Sequence, residues 1–323
     1  MPKTIKLLVT VSRPEFLPAN SASLVIGISW GVNLPVDLIL GLIVPATLVF
    51  GIITLVSAFA AQVNTISDYE LDLKDNCKRE LVQALGLLER GKLKFFIVLE
   101  LLSSLVLLFA LYSIVAKPAL IFMWMAAVFL AYAYSAPPLR LKSKAWLAPI
   151  TLLIVLSILP VTFVLYIFSS ELNPFFFIFL SGQALTVYGV IVPAEIRDYF
   201  GDKSMGIDTL TVRLGLAKAS LFSIILLIVG GILCGVGFLF RLLYGNHPAM
   251  TIFLLAMAAV YCFVLRKYVR LYHLSKEYIF SQDQSSIEQQ ILELSARNPQ
   301  WITLITQIIV FMSLILLVSK ILP

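Results

Sequence analysis

Asn64-Thr65-Ile66-Ser67-Asp68-Tyr69-Glu70-Leu71-Asp72 closes an apolar run over about 36–63 and opens a charged stretch. Asn64, Asp68 and Asp72 stand four residues apart. On a helix that spacing puts them on one face, about 6 Å apart along the axis. A second stretch, Asp198-Tyr199-Phe200-Gly201-Asp202, repeats the spacing after another apolar run. Each is an acidic stripe at a helix end. Two such stripes facing each other would form a pocket of oxygen ligands for hard divalent cations.

The rest of the chain says what kind of helix delivers them. Of 323 residues, 60% are hydrophobic and 13% charged, about half the charged share of a soluble domain. Several apolar runs approach the ~20 residues that cross a bilayer. They do not alternate as barrel strands would. The expectation is an all-α, multi-pass membrane protein, folded as one domain over 1–323. Nine spans are predicted, at about 16–33, 36–63, 95–116, 119–134, 145–168, 175–197, 216–240, 249–270 and 300–319. Arg13-Pro14 precedes the first, and Pro35, Lys117-Pro118, Asn173-Pro174 and Gly245-Asn246-His247-Pro248 mark turns. Gly230, Gly231, Gly235 and Gly237 in the seventh span permit close helix approach. Residues 271–298 are polar. Within them Ser285-Ser286-Ile287-Glu288 reads as a capping box before a short amphipathic helix carrying Ile287, Ile291, Leu292 and Leu294.

Charge distribution sets the orientation. With nine spans, only Lys117, Arg241 and Lys320 fall opposite the N-terminus, and 21 of the 24 Lys and Arg lie on its side. Positive charge collects on the cytoplasmic side, so the N-terminus and both acidic motifs are expected there. The net charge of +6 is thus membrane topology, and no nucleic-acid partner is expected. Cys77, Cys234 and Cys262 have no metal spacing, and their odd number leaves one unpaired. They read as reduced thiols, with Cys77 a bystander to the first motif. His247 and His273 are isolated and read as loop or interface residues.

Any one of these acids could be a solvated loop charge, as Glu70 and Asp75 are read to be. Two four-spaced pairs at matching helix ends favour ligands. Neither motif holds His or Cys, so zinc and copper are disfavoured and magnesium fits. Magnesium is typically held by one or two carboxylates plus substrate phosphates. Arg79, Arg140, Lys142 and Lys203 line the same rim as fixed cations. Acids, metal and cations together describe a diphosphate site, with apolar helices behind it to hold an apolar chain.

The sequence resembles the UbiA superfamily of intramembrane prenyltransferases. Three features carry the likeness: NxxxDxxxD at Asn64, Asp68 and Asp72; YxxPPxRxK from Tyr134 to Lys142; and DxxxD running into Gly206-Ile207-Asp208-Thr209-Leu210-Thr211-Val212-Arg213-Leu214-Gly215. The resemblance implies nine helices around a central cavity, with the two acidic motifs binding magnesium ions and an isoprenyl diphosphate. Asn64, Asp68, Asp72, Asp198 and Asp202 carry over as metal and diphosphate ligands. Tyr134, Arg140 and Lys142 carry over as diphosphate contacts or stabilisers of the allylic cation, and Arg79 sits where members often have an arginine. Tyr134 and Tyr199 could also face that cation with their rings. Thr65 stands where many members have Asp, and Lys78-Arg79-Glu80 where many have Arg-Pro, which leaves the acceptor subgroup open. Glu195, three residues before Asp198, is either a supporting ligand or a structural polar group.

The expected activity is transfer of an isoprenyl group from a polyprenyl diphosphate to a lipophilic or aromatic acceptor in the membrane lipid. A terpene cyclase of the same superfamily, acting on the diphosphate alone, is the alternative. An ion-coupled transporter ranks lower, because the paired acids lie on one side only.

Overall fold

A computed structural model of the chain describes residues 3–32, 40–73, 79–88, 90–169, 173–245 and 247–321. Pro35, Asp75, Cys77, Lys78 and Asn246 lie outside them, as does part of the charged segment after the first motif. Among the described residues the regular structure is entirely helical. The elements are α1 Lys3–Val11, α2 Leu17–Gly31, α3 Leu40–Asp72, α4 Arg79–Leu87, α5 Arg90–Val115, α6 Ala119–Ser135 and α7 Leu147–Leu153. They continue with α8 Leu159–Phe168, α9 Pro174–Ser204, α10 Leu210–Leu214, α11 Leu216–Tyr244, α12 Ile252–Phe280, α13 Gln284–Ala296 and α14 Asn298–Ile321.

Seven segments among the described residues are long and apolar enough to cross a membrane, which makes this an all-α multi-pass membrane protein. Each predicted span has a helical counterpart. α2, at 15 residues, and α6, at 17, are short for a crossing, so the count of nine rests on the charge pattern. Apolar side chains such as Leu255 and Phe122 stay largely exposed, as those facing lipid do. The chain falls into two compact units, residues 1–24 with 34–141 and residues 25–33 with 142–323.

In the first unit, α3 packs on α5 and α6. Phe59, Val63, Ala131 and Ala136 are buried together, with Ile97 and Leu101 against them. Phe59 and Val63 in this core lie in the last apolar turns of α3 before the first acidic motif. α1 and α4 are amphipathic and meet through Val11, Ala84 and Leu88. Gln62 is fully buried. Its Nε2 donates to Ser12 Oγ and to Glu100 Oε1, each at 2.8 Å, which ties the N-terminal segment and α5 to α3.

In the second unit, α9 and α11 touch backbone to backbone. A Cβ on Gly182 would lie 2.5 Å from the Cys234 nitrogen and 2.6 Å from the Gly230 oxygen, so only glycine fits at that crossing. Of the glycines singled out in α11, Gly235 meets nothing within 4 Å; its face is open rather than packed. Pro193 interrupts α9. Lacking an N–H, it cannot satisfy the carbonyl four residues back, which is that of Gly189. Ser223 Oγ on α11 donates to that oxygen at 2.7 Å, and Asn298 Nδ2 donates to the Val190 oxygen at 2.8 Å. The helix is thus braced at its weakest turn. Between α7 and α8 the backbone widens into a π turn over Ile154–Ile158, just ahead of Pro160, where the same donor is missing. At the other end of the unit, Lys320 Nζ donates to the carbonyls of Ser29 and Val32, each at 2.8 Å, capping the C-terminal end of α2.

The segment 271–298 is resolved by its packing. α12 runs ten residues past the predicted span, to Phe280. α13 buries Ile287 and Ile291 against Tyr199, Leu210 and Leu271, so the amphipathic helix is real. Its cap differs from the expectation. Asp283, not Ser285, accepts from the Ser286 backbone N–H, at 3.2 Å, and Ser285 Oγ instead donates to Asp283. Asp283 and Ser285 are both good caps, and the carboxylate, standing first in the chain, starts the helix two residues earlier.

Candidate functional site

α3 stays helical through Asp72, so Asn64, Asp68 and Asp72 do share a helix face. Thr65, one residue round from Asn64, is buried and donates its hydroxyl back to the Ala61 carbonyl at 2.8 Å. It therefore belongs to the packing of α3. Asp72 is buried at 6% exposure and Asp68 is largely covered.

Two contacts join this stripe to the stretch 134–142. Ser135 Oγ, in the last turn of α6, donates to Asn64 Oδ1 at 2.9 Å. Arg140 Nη2 donates to Asp68 Oδ1 at 3.3 Å. The chain presents Arg140 by leaving α6 through Pro137 and Pro138 and turning back, with the Arg140 N–H bonded to the Ala136 carbonyl at 2.9 Å. Arg140 itself sits at φ 35°, a left-handed conformation disfavoured for a residue with a side chain. Such strain persists only where surrounding contacts hold it, and it clusters at functional sites. Tyr134 lies half-buried in the last turn of α6, and Arg79 opens α4.

In the second unit α9 continues to Ser204, so Asp198 and Asp202 also share one helix face. Arg197 Nε lies 3.4 Å from Asp198 Oδ1. Lys203 Nζ donates to the Tyr199 hydroxyl at 3.3 Å and sits 5.5 Å from the centre of its ring. The Tyr199 ring, one of the two expected to face an allylic cation, already faces a lysine and is buried. Lys142 is half-buried in the short turn Leu141–Ser143.

After Asp202 the chain reverses. Gly206 takes φ +68°, and the Ile207 N–H returns to the Asp202 carbonyl at 2.9 Å. Thr209 caps α10 by accepting from the Val212 N–H. Asp208 and Arg213 form an exposed two-pronged ion pair. That guanidinium hydrogen-bonds Asp208 and holds its carboxyl below the usual carboxylate range.

Sequence reasoning did not single out Ser135, Arg197, Gln62, Tyr188 or Thr211. Ser135 and Arg197 had a signal, since each adjoins a motif residue. Thr211 lies within the quoted stretch Gly206–Gly215, where nothing marked it apart from its neighbours. Tyr188 stands two turns before Glu195 on α9, and Gln62 had no signal, because its partners Ser12 and Glu100 lie on other segments.

The donors on the two stripes are carboxylate and amide oxygens, the chemistry magnesium takes. Among the described residues, neither unit gathers three or more His, Cys, Asp or Glu side chains into a ready-made cage. A few oxygens per motif, with the remaining positions left to water and phosphate, suit magnesium's habit of keeping waters.

A profile of the UbiA prenyltransferase family matches residues 22–282. A search of curated proteins found no match. Several solved structures share the fold. One, concerned with digeranylgeranylglyceryl phosphate synthase in membranes, is 16% identical with a TM-score of 0.62, covering 97% of this chain and 99% of that one. A UbiA homologue from Archaeoglobus fulgidus bound to GPP and Mg2+ is 16% identical with a TM-score of 0.60, covering 93% and 99%. The apo structure of a UbiA homologue from Aeropyrum pernix K1 is 14% identical with a TM-score of 0.62, covering 87% and 95%.

Proposed function

The chain belongs to the UbiA prenyltransferase family, and from that premise we propose that it is a magnesium-dependent intramembrane enzyme moving an isoprenyl group from a polyprenyl diphosphate to a lipophilic or aromatic acceptor. The observation that carries this reading is the joining of two motifs in one unit. Ser135 fixes the Asn64 amide and Arg140 pairs with Asp68, so acid ligands and a phosphate-type cation stand together where a membrane helix ends. The GPP and Mg2+ in the Archaeoglobus fulgidus neighbour support the choice of donor and metal.

Asn64, Asp68 and Asp72 on α3, with Asp198 and Asp202 on α9, would hold the metal. Bound there, magnesium supplies Lewis-acid neutralisation of diphosphate oxygens. The chain's own groups do the rest. Arg140 is half-buried and already aimed at a carboxylate, so it is pre-organised for phosphate oxygens; Arg79, Lys142 and Lys203 add positive charge. As the allylic C–O bond breaks, its electron pair goes to the diphosphate, and fixed cations in a low-dielectric site stabilise the charge developing there. The carbon left behind is cationic, and the face of Tyr134 can stabilise it. Apolar helices exclude water, which would otherwise capture that carbon. The acceptor then supplies the electron pair for the new bond and loses a proton. With the N-terminus cytoplasmic, the diphosphate enters from the cytoplasmic side.

The test uses the full chain in lipid nanodiscs with a polyprenyl diphosphate, with and without magnesium and with a panel of lipophilic and aromatic acceptors. The expected result is magnesium-dependent diphosphate release and a prenylated acceptor detected by mass spectrometry. Cyclised products formed without acceptor, or no consumption of the diphosphate, would overturn the reading.

A further inference from the structure

Glu195 is an acidic side chain for which the chemistry above has no task. It lies on α9 one turn before Asp198. Its Oε2 accepts from Thr211 Oγ1 at 2.9 Å, and both its oxygens lie 3.3 Å from the Tyr188 hydroxyl. Tyr188 and Thr211 are each 1% exposed, so the carboxylate sits among buried groups. Among the described residues its hydrogen-bond donors are neutral hydroxyls. A buried carboxyl group is costly to leave unpaired; the Thr211 hydroxyl, at 2.9 Å, is its closer partner and the Tyr188 hydroxyl, at 3.3 Å, the longer one.

The bond to Thr211 crosses a chain reversal. α10 is five residues long, too short to be stable by itself. Its position must come from anchors. The Asp208–Arg213 pair is exposed and contributes little. Leu210 is buried in the apolar cluster with Ile287 and Ile291. That contact is non-directional, so it holds the segment without setting its register. The Glu195–Thr211 bond is a directional side-chain tie from α10 back to α9. The segment it fixes, 205–214, hangs directly on Asp202, whose carbonyl receives the Ile207 N–H.

We propose that Glu195 is a positioning residue: through Thr211 it locks segment 205–214 onto α9, and so holds the last turn of α9, with Asp202, in register for a magnesium diphosphate. The assignment rests on the proposed prenyltransferase activity only in its last step. The locking of the segment stands apart from it.

The test compares full-length wild type, Thr211→Val, Glu195→Gln, Glu195→Ala and the double variant Glu195→Ala/Thr211→Val in nanodiscs. Two quantities are read: amide hydrogen exchange over 205–214, and affinity for magnesium with the non-hydrolysable geranyl thiolodiphosphate. Thr211→Val keeps shape and loses only the hydroxyl, so it carries the test if Glu195→Ala does not fold. Loss of this hydrogen bond should speed exchange in this segment several-fold, up to about tenfold, and weaken ligand affinity several-fold with a smaller change in kcat. Glu195→Gln, which keeps an acceptor oxygen for Thr211, should restore most of both. The double variant should be no worse than Glu195→Ala alone. Unchanged exchange in Thr211→Val, or fully additive effects in the double variant, would overturn the locking role. Faster exchange with unchanged affinity would overturn the link to Asp202. If the wild type itself fails to bind the ligand, the prenyltransferase reading fails while the exchange data still decide the locking role.

Discussion

The two acidic helix ends share a four-residue spacing and differ in how their carboxylates are held. In the first unit, Asp68 is held by Arg140, 72 residues further along, and Asn64 by Ser135, 71 residues further along. In the second, Asp198 is met by its own neighbour Arg197, while the helix beneath is braced by Ser223, Asn298 and the Glu195–Thr211 bond. The exposure follows the same division: the Asp68 side chain is 14% exposed and Asp198 38%. Asn64 and Asp68 are met from outside their helix. Asp198 is met by its neighbour on a helix that is itself braced. The first motif should therefore fail when its partners are removed, and the second when its helix is loosened.

The largest effect is expected at the carboxylates. Asp68→Ala and Asp198→Ala should each lower turnover by about 10²–10³-fold, the scale for removing a key electrostatic group from an active site, as read by diphosphate release. Asp68→Ala should also raise KM, because it frees Arg140 from its carboxylate. Near-full activity in one variant would break the symmetry of role between the motifs.

Next comes the bracing of α9. Ser223→Ala leaves the Gly189 carbonyl buried without its donor, which costs about 1–3 kcal/mol. Thermal unfolding should fall by several degrees, and the half-saturating magnesium concentration should rise. An unchanged melting temperature would mean that the turn at Pro193 needs no brace.

Ser135→Ala should be milder. Removing one neutral hydrogen bond costs about 0.5–1.5 kcal/mol, so half-saturating magnesium should rise a few-fold with little change in melting temperature. If it lowers stability as much as Ser223→Ala does, the contrast between the two ends is lost.

The smallest effect is at Asp208. Arg213 depresses its carboxyl in the folded protein, so the pair's contribution is present above the ordinary aspartate value of about 3.9. It is lost as pH falls through the lower, folded value. The pair is exposed, so the contribution is small and screened by salt. Melting temperatures of wild type and Asp208→Asn should differ slightly at neutral pH in low salt, and converge in acid or at high salt. A difference that grows in acid would have the wrong sign.

Much of this was legible in the sequence, for identifiable reasons. A bilayer demands long apolar helices, so spans announce themselves, and four-residue spacing on a helix fixes a face without knowledge of the fold. What could not be read was tertiary. That Arg140 reaches Asp68 depends on a left-handed backbone after two prolines, and nothing in YxxPPxRxK states the direction of that turn. That Glu195 holds Thr211 depends on where a five-residue helix comes to rest. α12 overran its predicted end because hydropathy falls where Arg266, Lys267 and Arg270 leave the lipid, whereas a helix outside the membrane needs only its backbone bonds. The cap of α13 moved to Asp283 because two competent caps stood two residues apart.

The most direct test of the central claim, that both acidic motifs serve one magnesium-dependent diphosphate chemistry, is calorimetric titration of a non-hydrolysable isoprenyl diphosphate analogue into wild type, Asp68→Ala and Asp198→Ala. Wild type should bind only when magnesium is present, and each variant should lose binding while melting cooperatively. Magnesium-independent binding by the wild type, or wild-type affinity in either variant, would contradict it.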